Sequence, residues 1–176
     1  MLNTGRRKQL RLKNYNYSSE GYYFITVCVK NRENLLGEII HGQMILNGVG
    51  RMVKSVWDKL PRKFLGIKID EYIIMPDHFH GIIQIVGADP RVRPIPNMDA
   101  QIGKGSTHGS TPTLGKIIQW FKTMTTNYYL RGIGEFGWPC FDKNFWQRNY
   151  YEHIIRNDRE LNETRQYIRD NPTINH

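Results

Sequence analysis

The sequence predicts one α+β domain in which helices cover one face of an antiparallel sheet and leave the other face free to bind. Runs rich in β-branched and aromatic residues alternate with stretches of helical spacing, and the chain closes on helices. Its 176 residues, 39% of them hydrophobic, suffice to bury one core. The order strand, helix, strand, strand, helix, edge strand and closing helices is the ferredoxin-like plan, β-α-β-β-α-β. We therefore expect a single domain over residues 1–176.

The first third of the chain is predicted to hold a strand, a hairpin and a helix. Tyr22–Lys30 (YYFITVCVK) has the β-branched and aromatic residues of a strand. Between residues 35 and 46 the pattern is weaker and glycines mark turns, which favours a short hairpin. Val49–Phe64 has apolar residues at spacings of four, three and four. This spacing predicts a helix that Asn47 caps and whose last turn Pro61 weakens.

Two strands, a long loop and a second helix are predicted next. Ile67–Met75 and His80–Val86 are apolar runs separated by a short Pro-Asp break. Residues 88–113 hold four of the eight prolines and show no periodicity, so we expect a mobile insertion without a fold of its own. Leu114–Arg131 returns to helical spacing.

The last part of the chain is predicted to be mostly helical. A Gly-rich turn (GIGEFG) and an aromatic segment (WPCFDKNFW) follow the second helix, and the aromatic segment is the candidate edge strand. We expect a short helix near Tyr150–Arg156. A longer helix over Arg159–Asp170 starts behind an Asn157-x-x-Glu160 capping box, and Pro172 is expected to stop it.

The charge of the chain indicates a polyanionic partner. Lys and Arg number 25 against 16 Asp and Glu, a net charge of +9. Nucleic acid is the leading candidate, because each neutralised phosphate releases condensed counterion. An anionic membrane surface is the alternative, but no stretch approaches the roughly 20 apolar residues of a membrane span. The basic start of the chain forms either a solvated tail or a DNA-contacting arm, through Arg6, Arg7, Lys8 and Arg11.

A cytoplasmic location is the default expectation. The first sixteen residues are basic and polar, without the apolar core of a signal peptide. The two isolated cysteines, Cys28 and Cys140, make neither a zinc-ligand set nor a disulfide framework.

The sharpest local motif is Met75-Pro-Asp-His-Phe-His-Gly81. Residues two apart on a strand point to the same side, so His78 and His80 would present two imidazoles on one face with Phe79 turned into the core. Two neutral imidazoles at that separation can share a divalent ion. The alternative is a pair of ordinary polar residues at a strand start. The apolar residues on both sides favour burial, and buried imidazoles need partners.

A second motif lies in the last helix. Tyr167 and Asn171 are four residues apart and therefore share a helix face. A tyrosine can act as a covalent nucleophile, and an amide oxygen can bind magnesium or manganese. Alone the motif is weak, because most tyrosines in such helices are structural. Tyr150 and Tyr151 are rival nucleophiles.

Together these motifs resemble a known family. The run YIIMPDHFHGIIQIV closely resembles the HUH signature of single-tyrosine transposases. FWQRNYYEHIIRNDRELNETRQYIRDNP is similar to the C-terminal part of the REP-associated tyrosine transposases, a branch of that superfamily, and YFITVCVKNR is similar to their first strand. The resemblance covers about Tyr22–Val86 and Leu114–Pro172. These proteins act on repetitive extragenic palindromes in bacteria.

The resemblance implies roles for individual residues. His78 and His80 match the two metal ligands, Tyr167 matches the nucleophile, and Asn171 matches the amide that completes coordination of Mg²⁺ or Mn²⁺. The family's Trp-Gln and Glu-His pairs occur here as Trp146-Gln147 and Glu152-His153, for which structural or DNA-contacting roles are expected.

The expected function is a single-stranded DNA endonuclease and strand transferase that forms a 5′-phosphotyrosine link. Foldback hairpins beside the cut are the expected recognition feature, in a monomer or homodimer associated with the bacterial nucleoid. A non-catalytic DNA-binding domain of the same fold is the alternative, and a metal-dependent RNA-processing protein is a third.

Overall fold

A computed structural model of the protein describes residues 19–87 and 112–174, without the side chains of the last two residues. Within these residues the strands are β1 (Gly21–Cys28), β2 (Gly37–Ile40), β3 (Gln43–Leu46), β4 (Ile67–Met75), β5 (His78–Ile85) and β6 (Tyr151–Ile155). The α-helices are α1 (Gly48–Asp58), α2 (Leu60–Lys63), α3 (Leu114–Phe136) and α4 (Asp158–Ile174).

The strand order confirms the ferredoxin-like prediction. In the described part of the chain, β4, β5, β1 and β6 form one sheet in that order, and all neighbours are antiparallel. Along the chain, α1 lies between β1 and β4, and α3 lies between β5 and β6. Strands β2 and β3 form a separate hairpin, as the glycine pattern predicts.

The main core lies between one face of the sheet and helices α1 and α3. Strand β1 turns Tyr23, Ile25 and Val27 to this side, and all three are fully buried. The rings of Trp57, from α1, and Phe79, from β5, pack with centroids 4.5 Å apart. Full burial of such an apolar side chain contributes about 1.5–3 kcal/mol to the stability of the fold. The burial of Phe79 therefore determines which face of β5 turns toward the helices.

Helix α4 covers part of the opposite face. Ile168 packs with Phe24 and Ile82 in a smaller apolar cluster. Arg165 fixes the helix to β4 through two hydrogen bonds to the carboxylate of Asp70, of 2.9 and 2.6 Å. The rest of this face, at the start of β5, remains open and borders a cleft.

The prediction of a helix near Tyr150–Arg156 is wrong, because Tyr151–Ile155 forms the edge strand β6. They pair with the edge of β1 that β5 leaves free, with Thr26 opposite Tyr151 and Tyr22 opposite Ile155. The aromatic segment 138–146, where the edge strand was expected, lies in loop conformation. It pairs with the chain just after β1 through a bridge between Val29 and Trp146.

The ends of three helices also differ from the prediction. Val49–Phe64 is split into α1 and α2, because Pro61 has no N–H to donate to the carbonyl of Trp57. Helix α3 continues through the expected Gly-rich turn to Phe136. Gly132 is required there by close packing, since a Cβ would lie 2.1 Å from the Trp138 ring. Helix α4 continues past Pro172, which removes one hydrogen bond without ending it.

Several predicted features fall outside the described residues. They include the basic start of the chain, with Arg6, Arg7, Lys8 and Arg11, and nearly all of the predicted insertion at 88–113. At the end of that insertion Thr113 caps α3 by accepting a hydrogen bond from the Lys116 amide. Among the helices in residues 19–87 and 112–174, none is long and apolar enough to cross a membrane.

Candidate metal and nucleophile site

A tight turn between β4 and β5 places the two histidines. Pro76 and Asp77 form the turn, and β5 begins at His78. His78 is opposite Cys28 of β1, and His80 is opposite Thr26, so both imidazoles lie on the face that α4 only partly covers. Phe79, between them, is fully buried on the other face. The period-two prediction for this motif is confirmed.

Each imidazole is held by its Nδ1 atom. Nδ1 of His78 lies 2.5 Å from a carboxylate oxygen of Asp77, whose second oxygen is 2.6 Å from Nε of Arg32. Nδ1 of His80 lies 2.8 Å from the hydroxyl oxygen of Thr26. Because the ionised carboxylate only accepts, a neutral His78 carries its proton on Nδ1 and presents the lone pair of Nε2.

The Nε2 atoms of the two histidines point at each other, 3.0 Å apart. Burial lowers the pKa of His80 to about 3 and also lowers the pKa of His78. Both rings are therefore neutral at physiological pH, as metal ligands must be.

This geometry fits adjacent positions around one divalent ion. Two donors at right angles, each about 2.1 Å from an octahedral ion, lie about 3.0 Å apart. In the described part of the chain, no group of three or more His, Cys, Asp or Glu side chains is arranged to hold a metal. The histidine pair thus offers two nitrogens, and further ligands would have to be of another kind, such as an amide or phosphate oxygen.

Tyr167 lies beside the histidine pair. Its ring centroid is 5.5 Å from that of His80, with 67° between the ring planes, and it also meets Phe24 edge-on at 6.1 Å. The side chain is 44% exposed and lines the cleft. One chain therefore brings the predicted nucleophile and the predicted metal ligands together.

Asn171 lies one helical turn beyond Tyr167, as predicted. Its side chain is fully buried within the described residues. Its role as a metal ligand remains a prediction.

Contacts within the chain account for three of the other motif residues. The Trp146 indole donates to the hydroxyl of Thr125 at 2.7 Å. Gln147 donates to the carbonyl of Val29 at 3.4 Å. His153 lies 2.6 Å from Glu160, in the first turn of α4. These contacts join the aromatic segment and β6 to their neighbours.

The two rival tyrosines lie on opposite sides of the sheet. Tyr150 is partly buried and packs against the main core, whereas Tyr151 lies on the open face and meets Phe24 edge-on at 6.3 Å. Of these three tyrosines, Tyr167 makes the ring contact with His80.

Three residues of the site were missed by the sequence reasoning. Asp77 lies within the motif and directly precedes His78, and a carboxylate is a common partner for the second ring nitrogen of a metal-ligating histidine, so this signal was available. Thr26 is brought to the motif by the pairing of β1 with β5. Arg32 follows β1 by four residues and reaches the motif through its ion pair with Asp77. Local sequence reveals neither contact.

A cleft with a volume of about 1040 Å³ opens over the site. His78, His80 and Tyr167 line one side, and residues of the β2–β3 hairpin such as Glu38 and Ile45 line another. This volume is at the upper limit of the range of about 300–1,000 Å³ that pockets for drug-sized ligands span.

The chain was compared with known proteins and structures. No protein-family model matches it. It is 42% identical over 170 residues to an uncharacterized protein of Haemophilus influenzae, covering 96% of this chain and 89% of that one. The chain belongs to the same family as this protein.

Among solved structures, the chain is similar to a REP-associated tyrosine transposase bound to a REP hairpin. The TM-score is 0.56 at 20% identity, over 93% of this chain and 73% of the transposase. The two proteins share a fold. This agrees with the resemblance to REP-associated tyrosine transposases that the motifs indicate.

Proposed function

We propose that this protein cuts and rejoins single-stranded DNA through a covalent link to Tyr167. The observation that carries the proposal is the ring contact between Tyr167 and His80, beside two imidazole nitrogens 3.0 Å apart. The shared fold of the hairpin-bound transposase and the net charge of +9 support a DNA substrate.

The reaction is a transesterification, in which one phosphoester bond forms and another breaks. The hydroxyl oxygen of Tyr167 attacks the phosphorus of the scissile phosphodiester and loses its proton to solvent. The bond between phosphorus and the 3′ oxygen of the upstream nucleotide breaks, and that oxygen takes up a proton. The downstream strand remains as a 5′-phosphotyrosine ester. In the reverse step a 3′-hydroxyl attacks this ester and restores the phenol, so joining needs no ATP.

The histidines, with Asn171, are proposed to hold Mg²⁺ or Mn²⁺. When bound, such an ion polarises a phosphoryl oxygen and orients the scissile bond. Asp77 and Thr26 hold the Nδ1 atoms of the two imidazoles, and this leaves the two Nε2 atoms facing each other 3.0 Å apart. Arg32 neutralises Asp77 and holds it in place.

A foldback hairpin next to a single-stranded flank is the proposed DNA feature. The structurally similar transposase was solved with a REP hairpin. Positive charge alone would favour duplex, whose phosphates are denser, so preference for a hairpin with a flank requires a shaped site. The open sheet face and the cleft are the candidates for that site.

The test is formation of a covalent adduct. Hairpin-bearing oligonucleotides, labelled at either the 3′ or the 5′ end, are incubated with the protein and Mn²⁺ or Mg²⁺ and then denatured. We expect the 3′ label to remain with the protein and the 5′-labelled fragment to be released with a free 3′-hydroxyl. DNA binding without any adduct would contradict the proposal and favour a non-catalytic DNA-binding domain.

A further inference from the structure

Tyr151 is a half-exposed aromatic residue beside the site, and the proposed reaction does not use it. It is the first residue of β6 and is 51% exposed. In the sheet it lies opposite Thr26, which in turn lies opposite His80. Directly opposed residues share a face, so the Tyr151 ring lies on the same side of the sheet as the histidine pair, two strands away.

An aromatic row connects Tyr151 to the nucleophile. The Phe24 ring stacks on His80, with centroids 5.4 Å apart and 22° between the planes. Tyr167 and Tyr151 both meet Phe24 edge-on, at 6.1 and 6.3 Å. Phe24 itself is largely buried, whereas the two tyrosines at the ends of the row are about half exposed.

The Tyr151 ring stands on a paired strand and meets the Phe24 ring edge-on. A tyrosine has only two side-chain torsions, so it loses little conformational entropy when a flat ring packs on it. The exposed Arg148 precedes it by three residues and adds positive charge on the approach to β6.

We propose that Tyr151 is a stacking platform for an unpaired base of the DNA strand, close to the scissile phosphate. This inference rests on the proposed function and adds a base-binding subsite to it. The cleft over the histidines is bordered by the β2–β3 hairpin and the β4–β5 turn, whereas Tyr151 lies on β6 at the opposite edge of the sheet. A DNA strand that leaves the cleft across the histidines therefore meets Tyr151. Every base has a π-face, so this subsite would hold a single strand without selecting its sequence.

The test is equilibrium binding with a fluorescent base. The cleaved phosphate is first mapped with the active protein, and 2-aminopurine is then placed at successive positions on each side of it. Binding is measured in a Tyr167→Phe background, which keeps the DNA intact. We expect quenching at one or two adjacent positions, and the same quenching when Tyr151→Phe is added.

Variants without the ring give the decisive comparison. Tyr151→Ala and Tyr151→Leu should lose the quenching and weaken binding of the single-stranded flank roughly 5- to 150-fold, as for loss of one stacked base. Tyr151→Leu retains apolar volume and serves if the alanine variant fails to fold. Phe136→Ala is the matched control, because Phe136 is 69% exposed but lies at the far end of α3. It should bind as the parent does.

The outcomes separate this inference from the proposed function. If the parent protein forms the adduct but the Ala and Leu variants bind and quench as it does, the stacking subsite is wrong and the nuclease proposal stands. Equal weakening by Tyr151→Phe would show that the hydroxyl acts rather than the ring, which also contradicts the inference. Absence of any adduct with the parent protein would remove the proposed function and this subsite with it.

Discussion

The Nε2 atoms of His78 and His80 face each other across 3.0 Å, and each ring is fixed at its other nitrogen. Two neutral imidazoles with unprotonated nitrogens at this separation repel each other unless a cation or a proton lies between them. Metal binding is therefore tested most directly by replacing the histidines of this pair.

Replacing either histidine is expected to eliminate metal binding and adduct formation. His78→Ala or His80→Ala leaves one imidazole, which holds a hard ion poorly. Mn²⁺ binding, followed by electron paramagnetic resonance, should fall below detection, and chelator should have the same effect on the parent protein. His153→Ala is the control, because that histidine is bound to Glu160. Undiminished adduct formation in excess chelator would contradict a metal site.

Tyr167→Phe is expected to abolish the adduct while DNA affinity changes less than about twofold. Only the hydroxyl of a residue that is nearly half exposed is removed, so the free energy of unfolding should change by no more than about 0.5 kcal/mol. Tyr151→Phe is the matched control and should form the adduct at the parent rate. An adduct with Tyr167→Phe, seen on a denaturing gel, would move the nucleophile to another residue.

Asp77→Asn is expected to weaken Mn²⁺ binding by roughly 10- to 100-fold, the range for loss of a partner to a ligating histidine. The amide can donate as well as accept, so it no longer fixes the His78 proton on Nδ1 or pairs with the charge of Arg32. Calorimetric titration with Mn²⁺ measures the change. Asp142→Asn, at an exposed loop position, is the control, and an equal affinity in both variants would show that Asp77 does not position the ring.

The ion pair between Asp70 and Arg165 predicts a pH-dependent contribution to stability. Hydrogen bonds from Arg165 lower the pKa of Asp70 below its ordinary value. The folded state thus favours the ionised carboxylate. Its contribution is fully present above the unfolded-state pKa of about 4 and is lost as the pH falls through the lower, folded-state pKa.

Asp70→Asn should therefore lower the free energy of unfolding by roughly 1–2 kcal/mol at pH 7, as for a charge-assisted bidentate contact. The difference from the parent should shrink as the pH falls below about 4. Urea unfolding at several pH values measures this. Glu71→Gln removes the more exposed pair with Arg169 and should cost less than about 1 kcal/mol. A difference for Asp70→Asn that does not depend on pH would contradict the assignment.

The sequence predicted the fold and the orientation of the histidines because both depend on local periodicity. The alternation around Phe79 fixes which side chains of β5 face the main core, and the helical spacing after Asn47 fixes α1, whose cap is formed as predicted. Contacts between residues adjacent in sequence, such as that of Asp77 with His78, can also be read from the sequence alone.

Features that depend on long-range pairing were not predictable in this way. Tyr151–Ile155 is short and partly polar, and it pairs as a strand with the free edge of β1, a partner that local sequence does not reveal. The contact of Thr26 with His80 likewise requires the register between β1 and β5. Tyr167 could be assigned to a helix, but its position over His80 depends on how α4 docks on the sheet.

The docking of α4 also bears on how strands would be exchanged. Arg165 and Arg169, on either side of Tyr167 in sequence, tie the helix to Asp70 and Glu71 of β4. A DNA end attached to Tyr167 would consequently be anchored to the sheet, and the tyrosine could not carry it to a distant acceptor without breaking both ties. In the proposed reaction we therefore expect the acceptor 3′ end to travel to the cleft. The order of events would then be set by the release of the first 3′ end and the arrival of the second, while the protein-bound end would stay where it was made.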